Sequence, residues 1–183
     1  MKQDLRFART EKAIQKAFLD LLQEKEIGSI SVKEMCDLAE ISRNAFYQHY
    51  ESKEHLYQSM LQQILFSIEE ACRPVVSDLA TVTEAESRLF LVNVLLAVEQ
   101  NRFIINRLLS SQPAIFSAAF KDMLVAATLQ GSQEIEADLD PAFYHVFAAG
   151  VVAFVSYWLL ESSYSFEEAQ EKIFTILGQV KAV

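Results

Sequence analysis

Residues 43–48 carry four polar side chains at a spacing that suits the recognition of DNA bases. In a helix, Arg43 and Tyr47 lie on one stripe, and Asn44 and Gln48 lie on the next. Arginine can bind guanine O6 and N7 or a phosphate, asparagine and glutamine can pair with adenine N6 and N7, and tyrosine can contact a thymine methyl group or a phosphate. An ordinary solvated helix face with a surface tyrosine would have the same composition, so residue types alone do not separate the two interpretations.

The segment around this polar face has the pattern of two short helices joined by a tight turn. Ser31 with Glu34 three residues later predicts a capping box at the start of the first helix, and Ser42 predicts the N-cap of the second. Apolar positions at helical spacing predict the buried sides, and Ile41 should fill the turn. The buried positions are Val32, Met35, Cys36, Ala39, Phe46 and Tyr50. Such a pair would hold the polar face outward, as entry into the major groove requires.

A further helix is predicted ahead of this pair, from Thr10 as its cap to about Lys25, with Gly28 as the stop. Its buried stripe is Ile14, Ala17, Phe18 and Leu21. Counted from the N-terminus, these are three helices, and two lysines flank the polar face. Lys33 lies early in the second of the three, just after Ser31, and Lys53 lies in the first turn of a fourth helix. Both are therefore predicted to contact phosphates.

The order of residues in this region resembles the DNA-binding domain of the TetR family of bacterial transcriptional regulators. The most specific part is the closing motif, Phe46-Tyr47-x-His49-Tyr50-x-x-Lys53-Glu54-x-Leu56. The resemblance covers about residues 8–57, including the first helix, which distinguishes it from other helix-turn-helix families.

Two departures from the family pattern bear on the operator sequence. The family often has a glycine near the turn, whereas Glu40 and Ile41 follow Ala39 here. Asn44 and Ala45 stand where small residues or threonine are frequent. These differences leave the operator sequence unpredicted.

The resemblance also implies which residues contact DNA. Tyr47 and Lys53 correspond to DNA-backbone contacts, and Arg43 and Asn44 to base or backbone contacts. His49 corresponds to a phosphate contact, although a half-buried histidine that packs between helices is an equally good interpretation. The predicted DNA-binding residues are Lys33, Ser42, Arg43, Asn44, Tyr47, Gln48, His49 and Lys53.

The rest of the chain predicts further helices. Only 4 Gly and 3 Pro occur in 183 residues, so long helices are expected. The fourth helix should begin after Ser52 and end near Arg73, before Pro74, with a linker at 75–83. Later helices are predicted at 84–100, 102–111, 113–130, 141–161 and 166–181, with Gly131 in a loop.

An all-α fold class with two domains of different charge is expected. A three-helix helix-turn-helix domain at 1–51 would be joined by the long fourth helix to a helical ligand-binding and dimerisation domain within 52–183. Residues 1–60 carry nine Lys and Arg against ten Asp and Glu, whereas residues 61–183 carry seven against 15. Because the acidic remainder would be repelled from phosphates, DNA should bind only at the N-terminal domain.

Residues 141–160 form an uncharged stretch long enough to cross a membrane. Polar side chains interrupt it, and its flanks are acidic without the Lys or Arg anchors of a span, so a buried helix is favoured. Members of the TetR family are Ω-shaped homodimers whose last two helices commonly form a four-helix interface. The resemblance therefore implies a homodimer through helices 141–161 and 166–181, and no membrane association is expected.

The resemblance further implies a small-molecule site in the C-terminal domain, for which the sequence contains no motif. Aromatic side chains could line an apolar cavity, with a few polar groups from the same helices. Plain core is the commoner role for any one of these aromatic residues. The candidates for contact with a small apolar or aromatic ligand are Phe103, Asn106, Arg107, Phe116, Phe120, His145, Phe147, Phe154 and Trp158.

Metal, cofactor and catalytic sites are not expected. The three histidines are scattered, and Cys36 and Cys72 occupy apolar helical positions typical of buried thiols. No apolar segment follows Lys2 and Arg6, so no signal peptide is expected and the predicted location is cytoplasmic. The leading hypothesis is a homodimeric, ligand-responsive repressor of a palindromic DNA operator. The alternatives are an activator or co-regulator of the same fold that responds to a protein partner, and a helical enzyme.

Overall fold

The computed structural model of the chain describes residues 2–76, 84–134 and 140–180, and those ranges contain helices and no strand. The helices are α1 (Lys2–Glu24), α2 (Val32–Leu38), α3 (Arg43–Tyr47), α4 (Lys53–Val76), α5 (Glu84–Gln100), α6 (Arg102–Ser111), α7 (Pro113–Glu134), α8 (Pro141–Leu160) and α9 (Phe166–Val180). The all-α prediction is confirmed. The chain forms two compact units, Met1–Gln63 and Ile64–Val183, which divide within α4. The division into functional domains at residues 51 and 52 stays a prediction.

The first unit is built around the buried sides of its helices. α1 packs against α2, and α2 packs against α3. The side chains of Ile14, Phe18 and Phe46 are completely buried, because helical spacing places them all on inward faces. Other core residues are Ala17, Leu19, Ile30, Met35, Cys36, Tyr50, Leu56, Tyr57, Met60 and Leu61. These positions include most of the buried stripes predicted from the sequence.

The limits of α1 differ from the prediction at both ends. The helix begins at Lys2, and Thr10 lies inside it, where Thr10 Oγ1 donates a hydrogen bond to the carbonyl oxygen of Arg6 (3.0 Å). This bond satisfies the hydroxyl group within the helix, so Thr10 does not act as a cap. The helix ends at Glu24, and Gly28 lies beyond it in a 3₁₀ turn.

Two other helices continue through residues that were expected to end them. α4 runs through Pro74 to Val76, so the proline lies in the last turn of the helix and the helix ends two residues beyond it. α7 runs through Gly131 to Glu134, because glycine lowers helix propensity without forbidding a helix. Most of the predicted linker, from residue 77 to residue 83, lies outside the described residues.

α3 is shorter than its sequence pattern indicates. It ends at Tyr47, whereas the helical spacing of Phe46 and Tyr50 predicted a helix that ends at Glu51. Beyond it the backbone tightens into a turn, in which the N–H groups of His49 and Tyr50 both donate to the carbonyl oxygen of Phe46 (2.9 Å each). This turn still directs Tyr50 into the core.

The second unit has its own apolar core. α8 packs against α6, α7 and α9, while α5 packs against α6 and α9. α5 and α6 meet at 84°, so the chain bends sharply between them. The largest fully buried side chains of this unit are Phe116, Phe120 and Trp158.

α8 has one buried side and one exposed apolar side. It has 20 residues, and an 18-residue window within it has a mean hydropathy of 1.7, so it could cross a membrane by length and composition alone. Tyr144, Ala148, Val151, Val155 and Trp158 face the core. The exposed residues include Val146, Ala149, Gly150, Ala153, Tyr157 and Leu160. A helix that buries one side within a single chain is typical of a globular core, and its other side is free to pack against a second surface.

Candidate nucleic-acid interface

The turn between α2 and α3 has the hydrogen bonds of a Schellman motif. The backbone N–H of Ile41 donates to the carbonyl oxygen of Cys36 (3.0 Å), and that of Glu40 donates to Asp37 (3.3 Å). Glu40 adopts a left-handed conformation with φ of 54°, at the position where such motifs usually have glycine. The turn therefore closes without glycine, at the cost of some backbone strain.

Both helices of the pair begin with side-chain caps, as predicted. Ser31 Oγ accepts from the backbone N–H of Glu34 (3.2 Å), and Glu34 Oε2 accepts from the backbone N–H of Ser31 (2.9 Å), which completes a capping box. Ser42 Oγ accepts from the backbone N–H of Ala45 (3.1 Å). These caps satisfy N–H groups that would otherwise lack partners at the helix starts.

The four polar side chains of the predicted recognition face lie together on the surface of α3. Arg43, Asn44, Tyr47 and Gln48 are all exposed, with 56% of Tyr47 accessible. Phe46 lies completely buried beneath them. Phe46 thus holds α3 to the core, and the opposite side of α3 presents an arginine, two amides and a phenol to solvent.

The segment after α3 is attached to α1 through two aromatic residues. His49 stacks on Phe7, with ring centroids 3.8 Å apart, and its buried Nδ1 has no hydrogen-bond partner within the described part of the chain. Burial lowers the pKa of His49, against the opposing effect of the nearby Glu11 carboxylate. His49 is therefore half-buried and packs between helices, which corresponds to the second of the two interpretations made from the sequence.

Tyr50 is held by a polar network inside the first unit. Its hydroxyl donates to Glu11 Oε1 (3.2 Å) and accepts from Gln15 Nε2 (3.1 Å). Burial raises the pKa of Tyr50 to about 12, so the phenol stays protonated. Sequence reasoning missed Phe7 because it began α1 at Thr10, and it missed Glu11 because it treated Tyr50 as a core residue without a polar partner. The signal was present, since both residues lie at helical spacing from Ile14 on α1.

The two flanking lysines have different surroundings. Lys33 is exposed on α2. Lys53 Nζ donates to the carbonyl oxygens of Gly28 (3.0 Å) and Ile30 (2.7 Å), so its ammonium group is bound to the loop before α2. The structure brings Lys53 to the same unit as the recognition face, but two of its N–H donors are already used there.

The predicted ligand residues of the second unit do not share one environment. Phe116, Phe120 and Trp158 are fully buried in the core, and Trp158 Nε1 donates to the carbonyl oxygen of Tyr164 (3.0 Å). Phe116 and Phe120 pack edge to face, with centroids 5.9 Å apart. These two contacts are those of a packed core, the alternative role considered for each aromatic residue.

The remaining ligand candidates lie nearer the surface. Phe103 and His145 are exposed, and the guanidinium of Arg107 lies over the Phe103 ring at 5.3 Å. Asn106 Nδ2 donates to the carbonyl oxygen of Leu159 (3.1 Å), which ties α6 to α8. Phe147 and Phe154 are half-buried. A ligand site formed by these residues stays a prediction.

Comparison with known proteins finds a curated relative that matches one segment of the chain and solved structures that match nearly all of it. No family model matches the chain. A 61-residue segment is 44% identical to an uncharacterized HTH-type transcriptional regulator, YxbF, of Bacillus subtilis. This segment is 33% of the chain, and the match spans 16% of the length of that curated relative.

Similar solved structures extend over nearly the whole chain. A TetR transcriptional regulator from Streptococcus agalactiae 2603V is 26% identical, covers 97% of this chain and 98% of its own, and has a TM-score of 0.69. The dihydroxyacetone kinase operon activator DhaS shares the fold at 21% identity, with 94% and 97% coverage and a TM-score of 0.63. With the motif at residues 46–56 and the buried frame that supports α3, these similarities show that the chain belongs to the TetR family of transcriptional regulators.

Proposed function

We propose that this chain is a DNA-binding transcriptional regulator that reads its operator with α3. The observation that carries the proposal is the outward row of Arg43, Asn44, Tyr47 and Gln48 above the buried Phe46. Arginine and the two amides can pair with the edges of guanine and adenine in the major groove, and the phenol can bind a phosphate. Ser42 at the helix start and the exposed Lys33 are placed to add backbone contacts.

We infer that the regulator acts as a homodimer through α8 and α9. Val146 on α8 is 69% exposed, and Tyr157, Leu160 and Ile176 are also exposed, which leaves apolar side chains on the outer sides of both helices. A Cβ atom built on Gly150 would meet nothing within 4 Å. The small residues there would allow the backbone of a second helix to approach closely, as a four-helix interface requires.

Introducing a charge on this surface of α8 tests whether it forms the dimer interface. Ala153→Glu places a carboxylate in the proposed interface and should convert the dimer to a monomer in sedimentation analysis. Ala118→Glu, at an exposed position of α7, is the matched control and should leave the dimer intact. A dimer that survives Ala153→Glu unchanged would require a different interface.

A symmetric dimer would read two half-sites of a palindrome. Recognition helices of such dimers are separated by about 34–36 Å, one turn of the double helix. The acidic remainder of the chain, seven basic against 15 acidic residues, would keep DNA at the N-terminal unit. We therefore expect a palindromic operator in DNA close to the gene, and a cytoplasmic location.

The central test is DNA binding by variants of the recognition face. Arg43→Ala combined with Tyr47→Ala removes one base-reading and one backbone group per protomer, so operator affinity should fall at least roughly 100-fold. Arg88→Ala removes the same charge from an exposed position of the second unit and should leave affinity nearly unchanged. If the double variant still binds a palindrome from flanking DNA with full affinity, the assignment of α3 is wrong.

The proposal also covers whether the protein represses or activates transcription, and whether a small molecule controls it. A repressor released by a small apolar or aromatic ligand would bind that ligand better in a conformation with a different spacing of recognition helices. The similarity of fold to the activator DhaS favours keeping an activator or co-regulator as the second candidate. A reporter gene behind the operator distinguishes them, since deletion of this protein raises expression for a repressor and lowers it for an activator.

Enzymatic activity is not part of the proposal. Within the described ranges, no group of three His, Cys, Asp or Glu side chains could hold a metal ion. The relatives with described roles are regulators of transcription. Turnover of a co-purified compound by the pure protein would revive the enzyme alternative.

A further inference from the structure

Lys53 is the first residue of α4, and its ammonium group is bound to the loop that connects α1 and α2. Lys53 Nζ donates to the carbonyl oxygens of Ile30 (2.7 Å) and Gly28 (3.0 Å). Both carbonyl groups belong to the 3₁₀ turn and the residue that follows it. Because an ammonium group has three N–H donors, two of them are used within the chain and the group is fixed in direction.

The same loop is held from its other end by the first turn of α2. Lys25 Nζ lies 2.6 Å from Glu34 Oε1, and Glu34 Oε2 accepts from the backbone N–H and the hydroxyl of Ser31 (2.9 and 2.8 Å). Ile30, between these contacts, is buried. The start of α2 and the start of α4 are thus attached to one short loop by hydrogen bonds to charged groups, the stronger class of such bonds.

Lys33 provides a comparison within the same unit. It is exposed on α2 and makes no ion pair in the part of the chain that the structure describes. A lysine that contacts a phosphate acts as a mobile, solvated charge that reaches out to the DNA backbone. Lys33 meets that description, whereas Lys53 is half-buried and directed at its own backbone.

We propose that Lys53 is a positioning residue, which locks the first turn of α4 to the loop before α2 so that the helix-turn-helix follows the orientation of α4. This inference rests on the proposed DNA-binding function. α4 runs from the first unit into the second, and Lys53 lies in its first turn, beside the loop before α2. Lys53 acts on DNA through the placement of α3, and Lys33 acts on DNA directly.

Two lysine-to-methionine variants separate these roles. Methionine keeps much of the apolar stem of lysine and removes its charge, so Lys53→Met and Lys33→Met make equal changes of charge. Operator binding is measured by fluorescence anisotropy over a range of salt concentrations. Each phosphate contact contributes about 0.9 to the slope of log K against log salt, so a homodimer that loses two contacts should change its slope by roughly 1.8.

The positioning role predicts a distinct pattern for Lys53→Met. Affinity should fall roughly ten-fold with the salt slope of the wild type, because a hydrogen-bonded charge inside the protein is lost and no phosphate contact is. Lys53→Arg should restore much of the affinity, since a guanidinium can also donate to two carbonyl oxygens. Lys33→Met should lower the salt slope. Far-UV circular dichroism checks that each variant is folded.

Amide exchange in the absence of DNA tests the lock independently of the function. The N–H groups of Ser29 and Ile30 donate to the carbonyl oxygens of Glu26 (3.0 Å) and Ile27 (3.2 Å). In Lys53→Met these amides should exchange roughly ten-fold faster, and in Lys33→Met they should not change.

The outcomes distinguish failure of this inference from failure of the proposed function. A salt slope lowered by Lys53→Met, with amide exchange unchanged, would identify Lys53 as a phosphate contact and overturn the inference. If Lys53→Met speeds amide exchange of Ser29 and Ile30 but leaves operator affinity unchanged, Lys53 stabilises only the loop before α2, and the positioning role is overturned. If the wild-type protein binds no operator, the proposed function fails and the positioning role fails with it, while the exchange measurement still reports whether the lock exists.

Discussion

Replacing Glu40 by glycine should stabilise the first unit, because the native backbone at this position suits glycine better than any residue with a Cβ atom. Glu40 has φ of 54° in the turn between α2 and α3. The two hydrogen bonds of the turn are made by backbone groups, at 3.0 and 3.3 Å, so the substitution leaves them in place. The change therefore isolates the cost of the left-handed conformation.

The magnitude follows from two opposing effects. A left-handed conformation costs a residue with a Cβ atom about 1–2 kcal/mol, and glycine avoids this cost. Glycine also gives the unfolded chain more backbone freedom, which destabilises the folded state by about 0.4–1 kcal/mol. The difference is a net gain of roughly 0.5–1 kcal/mol in the free energy of unfolding.

The assay must report the first unit separately from the second. The one tryptophan of the sequence, Trp158, lies in the second unit, so its fluorescence serves as an internal reference during urea unfolding. Amide exchange of residues 32–50 under native conditions reports the first unit. Glu40→Ala removes the same carboxylate but retains Cβ, and it should differ from the wild type by less than about 0.5 kcal/mol. A glycine variant no more stable than the alanine variant would refute the reasoning.

Other consequences concern the capping box and the buried thiols. Ser31→Ala should lower the free energy of unfolding by about 1 kcal/mol in urea titrations, because α2 loses its N-cap. Hydrogen bonds from Lys25 and Ser31 lower the pKa of Glu34 from 4.5 to about 2. The stabilisation from Glu34 should thus be complete above pH 4.5 and disappear as the pH falls toward 2, and Glu34→Gln should remove this part of the acid-unfolding profile. Burial raises the pKa of Cys72 to about 12, so a thiol reagent should label it only when the second unit unfolds. Labelling of Cys72 in the native protein as fast as in the unfolded protein would contradict its burial.

Local patterns in the sequence were sufficient for the presence of the helices, though not for all their limits, and for the exposed polar side of α3. Helical spacing places Phe18 and Phe46 inward and Arg43 and Tyr47 outward, and the predicted caps at Ser31 and Ser42 are present. These features depend on interactions between residues three or four apart, so a single segment contains the information that determines them. For the same reason, the class of fold followed from spacing and from the scarcity of glycine and proline.

The contacts that hold the recognition face to the rest of the first unit appeared only in the tertiary structure. His49 stacks on Phe7, Tyr50 bonds to Glu11, and Lys53 bonds to the carbonyl oxygen of Ile30, although these partners are 23 to 42 residues apart. No periodicity relates residues so distant, because their approach depends on how whole helices pack. The sequence by itself determined which side chains of α3 face outward, and helix packing alone decided that the ammonium group of Lys53 is directed at the backbone of its own chain.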